Sequence, residues 1–193
     1  MTDVRRVILA LTGASGAALG LRIAERLGAR DGVETELVVS AAAERTLRHE
    51  IGPEAPAQIA ALATRLHDPR DIGATIASGS YPVAGMIVAP CSMRSLAAIA
   101  TGLTDNLVIR AADVQLKERR KLVLLARETP LHLGHLRNMA AVTEMGAIVM
   151  PPVPAFYQKP ASVAEIVDHL AARAIDLLGL PGEIEARAWA GEN

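Results

Sequence analysis

Aromatic residues are nearly absent from this sequence: one Phe, one Trp and two Tyr, 2% of 193 residues. A core built from it must therefore be aliphatic, and each ring is worth locating. Cysteine is scarcer still. The single Cys91 excludes an intrachain disulfide framework and a Cys-rich zinc site, as expected of a cytoplasmic protein. Neither charge is in excess, with 20 Lys and Arg against 21 Asp and Glu for a net charge of −1. The sequence thus lacks the basic face of a nucleic-acid binder, and no such partner is expected. It also lacks an apolar run of the ~20 residues that span a membrane, so no membrane partner is expected. Arg5 and Arg6 followed by VILALTGASGAALGL have the outline of a secretory leader. However, residues 7–11 form a short β-rich run, 12–16 a turn, and Arg22, Glu25 and Arg26 recur at helical spacing. That pattern reads as strand, turn and amphipathic helix.

What is present is alternation. Strands are predicted at 6–11, 35–39, 66–67, 86–89, 122–126 and 147–150. Helices are predicted at 16–27, 41–50, 57–63, 72–77, from 92, at 106–115, up to 145 and at 162–178. No repeat or low-complexity linker interrupts the series, and 51% hydrophobic residues suffice for one well-buried core. The expectation is a single domain over 1–193, with a tail from about 180. Its fold class is α/β: a three-layer, doubly wound, Rossmann/flavodoxin-like arrangement around a mostly parallel sheet. The run 86–89 shows no polar alternation, as in a strand covered on both faces, and Pro90 is expected to stop it. PPVPAFYQKP cannot continue a sheet, because its prolines remove donors and fix φ. It is read as an ordered loop presenting Phe156 and Tyr157.

Polar residues gather at the predicted carboxyl ends of the strands. TGASGA, between a strand and a helix, either places free N–H groups and a helix dipole where a phosphate can sit or merely permits a tight turn. It lacks the G-x-G-x-x-G spacing, and the second strand ends at Ser40 rather than at an acid, which weighs against a dinucleotide. Ser40 reads as the cap of helix 41–50, within reach of a ligand at the sheet edge. Ser92, Met93, Arg94 and Ser95 open a helix, as a second anion cradle or as ordinary capping. Arg127 closes a central strand, where its planar fork suits phosphate. Tyr81 sits on a turn, offered to a flat ligand or packed on the surface. Arg110, Asp113 and Lys117 share a helix face and read as an ion-pair ladder. Cys91 has no evident catalytic partner, while His67 and the pair His132 and His135 lack further metal ligands. Arg173 alone is a solvated helix charge. The residues reach a flat, phosphate-bearing ligand; they do not reach a reaction.

Four longer segments carry a family resemblance: TGASGA at 12–17, PCSMRSLAAIATG at 90–102, DNLVIRAADVQLKERRKLVLLARETPLHLGHLRNM at 105–139 and GAIVMPPVPAFYQKP at 146–160. Together they resemble the UbiX-type flavin prenyltransferases over nearly the whole chain. The resemblance implies a homododecameric enzyme that joins a dimethylallyl group from dimethylallyl phosphate to N5 and C6 of reduced FMN. The product, prenylated FMN, would serve UbiD-type decarboxylases. No metal is implied, and no DDxxD-like motif occurs. By the same resemblance Gly13, Ala14, Ser15, Ser40, Ser92, Met93, Arg94, Ser95 and Arg127 contact FMN. Tyr157 and Arg173 hold the dimethylallyl phosphate, and Glu50 with Ser15 takes part in the chemistry. Arg94 and Ser95 stand where the family often has Lys and Thr, and Trp189 lies in an ending that matches only loosely. Two alternatives share the FMN: a decarboxylase of the flavodoxin-like cysteine decarboxylase group, and a non-catalytic FMN-binding module.

Overall fold

The computed structural model describes residues 4–189 and 191. Its strands are β1 (Arg5–Leu11), β2 (Val33–Val39), β3 (Arg65–His67), β4 (Gly85–Cys91), β5 (Lys121–Ala126) and β6 (Ile148–Val149). Its helices are α1 (Ala17–Gly28), α2 (Ala41–Glu50), α3 (Ala55–Ala61), α4 (Met93–Thr101), α5 (Leu107–Lys117), α6 (Leu133–Glu144) and α7 (Val163–Asp176). The strands form one six-stranded sheet in the order β3-β2-β1-β4-β5-β6, and every pairing is parallel. This is the doubly wound α/β arrangement expected from the alternation. Its strand order reverses between β1 and β4, so a crevice opens at their carboxyl ends.

Period-two alternation divides the sheet between two cores. Val7, Leu9, Leu11, Ile87 and Leu125 face one way and pack with α1, α2, α3 and α7. Ile8, Ala10, Met86, Val88 and Leu124 face the other way and pack with α4, α5 and α6. Both faces are covered, which is why these strands read as unbroken aliphatic runs. Close layering needs a glycine on α1. A Cβ at Gly20 would fall 2.5 Å from the Ala89 carbonyl oxygen and 2.6 Å from Leu11 Cδ2.

Several boundaries differ from the sequence reading. The first helix starts at Ala17, since Gly16 takes a left-handed φ of 108°. The helix expected at 72–77 shrinks to a 3₁₀ turn at Thr75–Ala77, because the Asp71 carboxylate accepts from Gly73 N–H and favours a local turn. β4 passes Pro90 and ends at Cys91, with a register irregularity after Val88. Pro90 lacks a donor, yet its carbonyl still accepts from the Thr12 N–H at 3.2 Å. The ladder on α5 reduces to Arg110 and Asp113 at 2.8 Å, because Lys117 turns to Glu118. The tail is strapped across α7: the Asp176 carboxylate accepts from the Glu185 and Ala186 N–H groups at 2.8 and 3.0 Å. The Glu185 carboxylate then bridges Arg26 and Arg30. Of the tail expected over 180–193, residues 190, 192 and 193 lie outside the described residues.

The Gly20 contact yields a stability prediction. Gly20→Ala should lower the unfolding free energy by about 1–3 kcal/mol through overpacking, despite alanine's better helix propensity. A urea titration would show it as a lower midpoint at unchanged slope; an unchanged midpoint would contradict the close approach.

Candidate active site

The crevice between β1 and β4 is fastened by one hydroxyl. Thr12 is buried; its Oγ1 donates to the Pro90 carbonyl and accepts from the Ser92 N–H, both at 2.8 Å. Around that knot three helices begin. The Ser40 hydroxyl caps α2 by accepting from Ala43 N–H at 3.1 Å, and the Ser92 hydroxyl caps α4 by accepting from Ser95 N–H at 3.3 Å. Asn106 caps α5 by accepting from Ile109 N–H at 3.2 Å. Thr12, Gly13, Ser40, Ser92, Ser95 and Asn106 line one cavity of about 500 Å³. Three positive helix ends and several hydroxyls on one cavity are the chemistry that suits an anion.

The N-terminus of α1 behaves differently. Its N-cap residue, Gly16, has no side chain to offer. The free N–H groups of Gly16 and Ala17 instead donate to Glu50, at the end of α2, at 2.9 and 2.8 Å. The N–H groups at the end of the TGASGA turn are thus taken by the protein's own carboxylate. Burial pushes the Glu50 pKa up. Hydrogen bonds from the Ser15 hydroxyl and the Ala17 and Gly16 N–H groups, with the Arg127 charge, more than offset this and lower it from 4.5. The Glu50 carboxylate is therefore favoured in its ionised form, on the Ser15 hydroxyl and within the field of Arg127.

Comparison with known proteins shows the family. Residues 1–175 match the family model Flavoprotein. The Flavin prenyltransferase UbiX of Thauera aromatica is 50% identical over 186 residues, which cover 96% of this chain and 94% of that protein. The crystal structure of AnUbiX (PadA1) in complex with FMN and dimethylallyl pyrophosphate superposes with a TM-score of 0.91 at 46% identity, over 98% of this chain and 100% of that one. A dodecameric FMN-dependent Ubix-like decarboxylase from Escherichia coli O157:H7 also reaches 0.91, at 48% identity over 96% and 100%. The chain belongs to the UbiX-type flavin prenyltransferase family.

The residues that the UbiX resemblance singles out fall into three places. Gly13, Ser40, Ser92, Arg94 and Ser95 line the cavity. Gly13 has a packing reason as well, since a Cβ there would fall 2.5 Å from Ala42 Cβ. Ala14 is buried beside it, and the Met93 side chain turns into the α4, α5 and α6 core, leaving only its backbone for a ligand. Ser15, Glu50 and Arg127 form the second group. Tyr157 and Arg173 are elsewhere: both are exposed, and neither lines the cavity in one chain. The Tyr157 ring meets Trp189 edge-on at 5.3 Å, which gives that tryptophan a place.

The other candidates resolve structurally. Tyr81 precedes β4, donates to Glu36 at 2.7 Å and lies under the Arg6 guanidinium, so within one chain it does not face the cavity. His67 pairs with the same Glu36. Burial holds the Cys91 thiol at a pKa of about 12, far from a reactive thiolate. His132 Nδ1 accepts from the Gly134 N–H and caps α6, and its ring stacks on His135 rather than converging with it. Thr12, Arg70 and Asn106 line the cavity but escaped the sequence reading. Asn106 carried a readable cap signal, whereas nothing in D-P-R distinguishes Arg70.

Glu50 generates a pH prediction. A carboxyl whose folded pKa lies below its unfolded value stabilises the fold above the unfolded pKa, and that stability is lost as pH falls through the folded one. The urea midpoint of Glu50→Gln should lie below wild type at neutral pH, and the gap should close as pH drops from 4.5 toward the lowered folded value. A gap that persists in acid would show that Glu50 acts by packing alone.

Proposed function

We propose that this chain is a flavin prenyltransferase. It transfers the dimethylallyl group of dimethylallyl phosphate to N5 and C6 of reduced FMN and delivers prenylated FMN to UbiD-type decarboxylases. The observation that carries the reading is the pairing of two anion sites in a UbiX-type chain: an open one at three helix ends and an adjacent one already holding Glu50. In this reading the FMN phosphate and ribityl chain lie on Ser40, Ser92 and Ser95. Gly13, Ala14 and Ser15, with Arg127, then border the ring system.

The residues divide the chemistry. Breaking the allylic C–O bond builds charge on the departing phosphate, and fixed Tyr157 and Arg173 donors stabilise it. Reduced FMN supplies the electron-rich acceptor atoms. Glu50 holds the Ser15 hydroxyl at the reacting edge. With its pKa lowered, Glu50 is a weaker base than released phosphate, whose second pKa is about 6. Phosphate is thus the better final acceptor of the C6 proton. Tyr157 and Arg173 lie apart from the cavity in one chain, so we take the homododecamer as the working form, in which copies complete each other's sites. Among the described residues no helix is long and apolar enough to cross a membrane. The lone, buried Cys91 accords with the cytoplasm.

Anaerobic incubation with reduced FMN and dimethylallyl phosphate should add a five-carbon unit to the flavin mass; a parallel arm with the diphosphate reads donor preference. An unchanged flavin mass with FMN bound would overturn the transferase reading, and is what a decarboxylase or storage module would give. Arg173→Ala should keep FMN bound while losing turnover by about 100-fold or more, the scale for removing one charge-stabilising donor.

A further inference from the structure

The cavity has one wall that neither the motifs nor the roles above use, the turn after β3. We propose that Arg70, on that turn, is a further binding residue for the phosphate of FMN; this rests on the flavin reading above. Pro69 and Arg70 line the same cavity as the three capped helix ends. The Arg70 guanidinium is held from one side only, with Nε and Nη2 donating to the Asp68 carboxylate at 3.1 and 2.8 Å. A guanidinium carries five N–H donors. Its side chain is 90% exposed and makes no other hydrogen bond among the described residues. The Nη1 end therefore stays available for a second, bidentate partner, and phosphate fits that fork.

The turn is built to hold this arginine in place. Its own N–H donates to Asp68 Oδ1 at 2.9 Å. The Pro69 carbonyl accepts from the Leu107 N–H at 2.8 Å, tying the turn to the first residue of α5. At its base, His67 Nε2 lies 2.5 Å from the buried Glu36 carboxylate, which also accepts from Tyr81. The turn that carries Arg70 is thus tied to the start of α5 rather than being a free loop. Paired with Asp68, Arg70 offers directed donors rather than net charge. Three helix ends of roughly +0.5 each leave a phosphate monoester of about −2 incompletely matched. The other arginine on the cavity, Arg94, is likewise paired, with Asp105. The fold itself has little use for Arg70, since an ion pair this exposed adds almost no stability.

The test is equilibrium binding of FMN and of riboflavin, the same ring system without phosphate, to the full-length protein. Arg70→Ala should weaken FMN about 10- to 100-fold, the scale of a lost charged hydrogen-bond pair, and leave riboflavin unchanged. Arg70→Lys should recover part of the loss, and the urea midpoint of both variants should match wild type. Unaltered FMN affinity in Arg70→Ala would overturn the assignment, as would equal weakening of both flavins. A wild-type protein that binds neither flavin would instead overturn the flavin reading, and the Arg70 assignment with it.

Discussion

One carboxylate sorts the anion sites of this molecule. Glu50 reaches from the end of α2 to the bare N-terminus of α1 and takes its two leading N–H groups. A helix opening with glycine at its cap has nothing of its own to satisfy these donors, and the cost of leaving them unpaired is met from another helix. Two results follow from this single contact. The β1–α1 turn becomes rigid, with Ser15 aligned on the same carboxylate and Arg127 nearby. The open anion-binding donors are also left at the N-termini of α2, α4 and α5, which line a cavity with their caps.

The doubly wound sheet supplies the frame for this division. Strand order reverses between β1 and β4, and the Thr12 hydroxyl bridges the two carboxyl ends where they part. The aliphatic layers can approach closely because Gly20 and Gly13 leave no Cβ in the way. The few rings stay out of the core interiors: Tyr81 packs at the margin of one core and donates to Glu36, Tyr157 meets Trp189, and Phe156 is exposed. A single chain thus builds the proposed acceptor cavity while leaving its proposed donor-phosphate residues on the surface, an arrangement suited to completion by neighbouring copies.

Much of this was legible in the residues. Short unbroken apolar runs bounded by turn residues located the strands of the sheet, and Ser40 and Ser92 were readable as caps at the carboxyl edge because capping is a local property. The Gly13 to Gly16 turn was readable as an anion cradle for the same reason, but its occupant was not. Glu50 lies 34 residues from Gly16, and only the packing of α2 beside α1 brings them together. Arg70 was invisible for a related reason: a D-P-R turn looks solvated until the Pro69 carbonyl is seen tied to α5. The helix expected at 72–77 failed because periodicity ignores the Asp71 side chain that competes for the backbone. Tyr157 and Arg173 drew weight from family resemblance alone, since neither periodicity nor spacing marks them.

The central claim is that Glu50 closes the α1 anion site and leaves the ligand phosphate to the other three helix ends. An experimental structure of the FMN complex tests it most directly. The account predicts phosphate oxygens hydrogen-bonded at Ser40, Ser92 and Ser95, with the Glu50 carboxylate still on the Gly16 and Ala17 N–H groups. A phosphate seated on those two N–H groups, with Glu50 displaced, would contradict it.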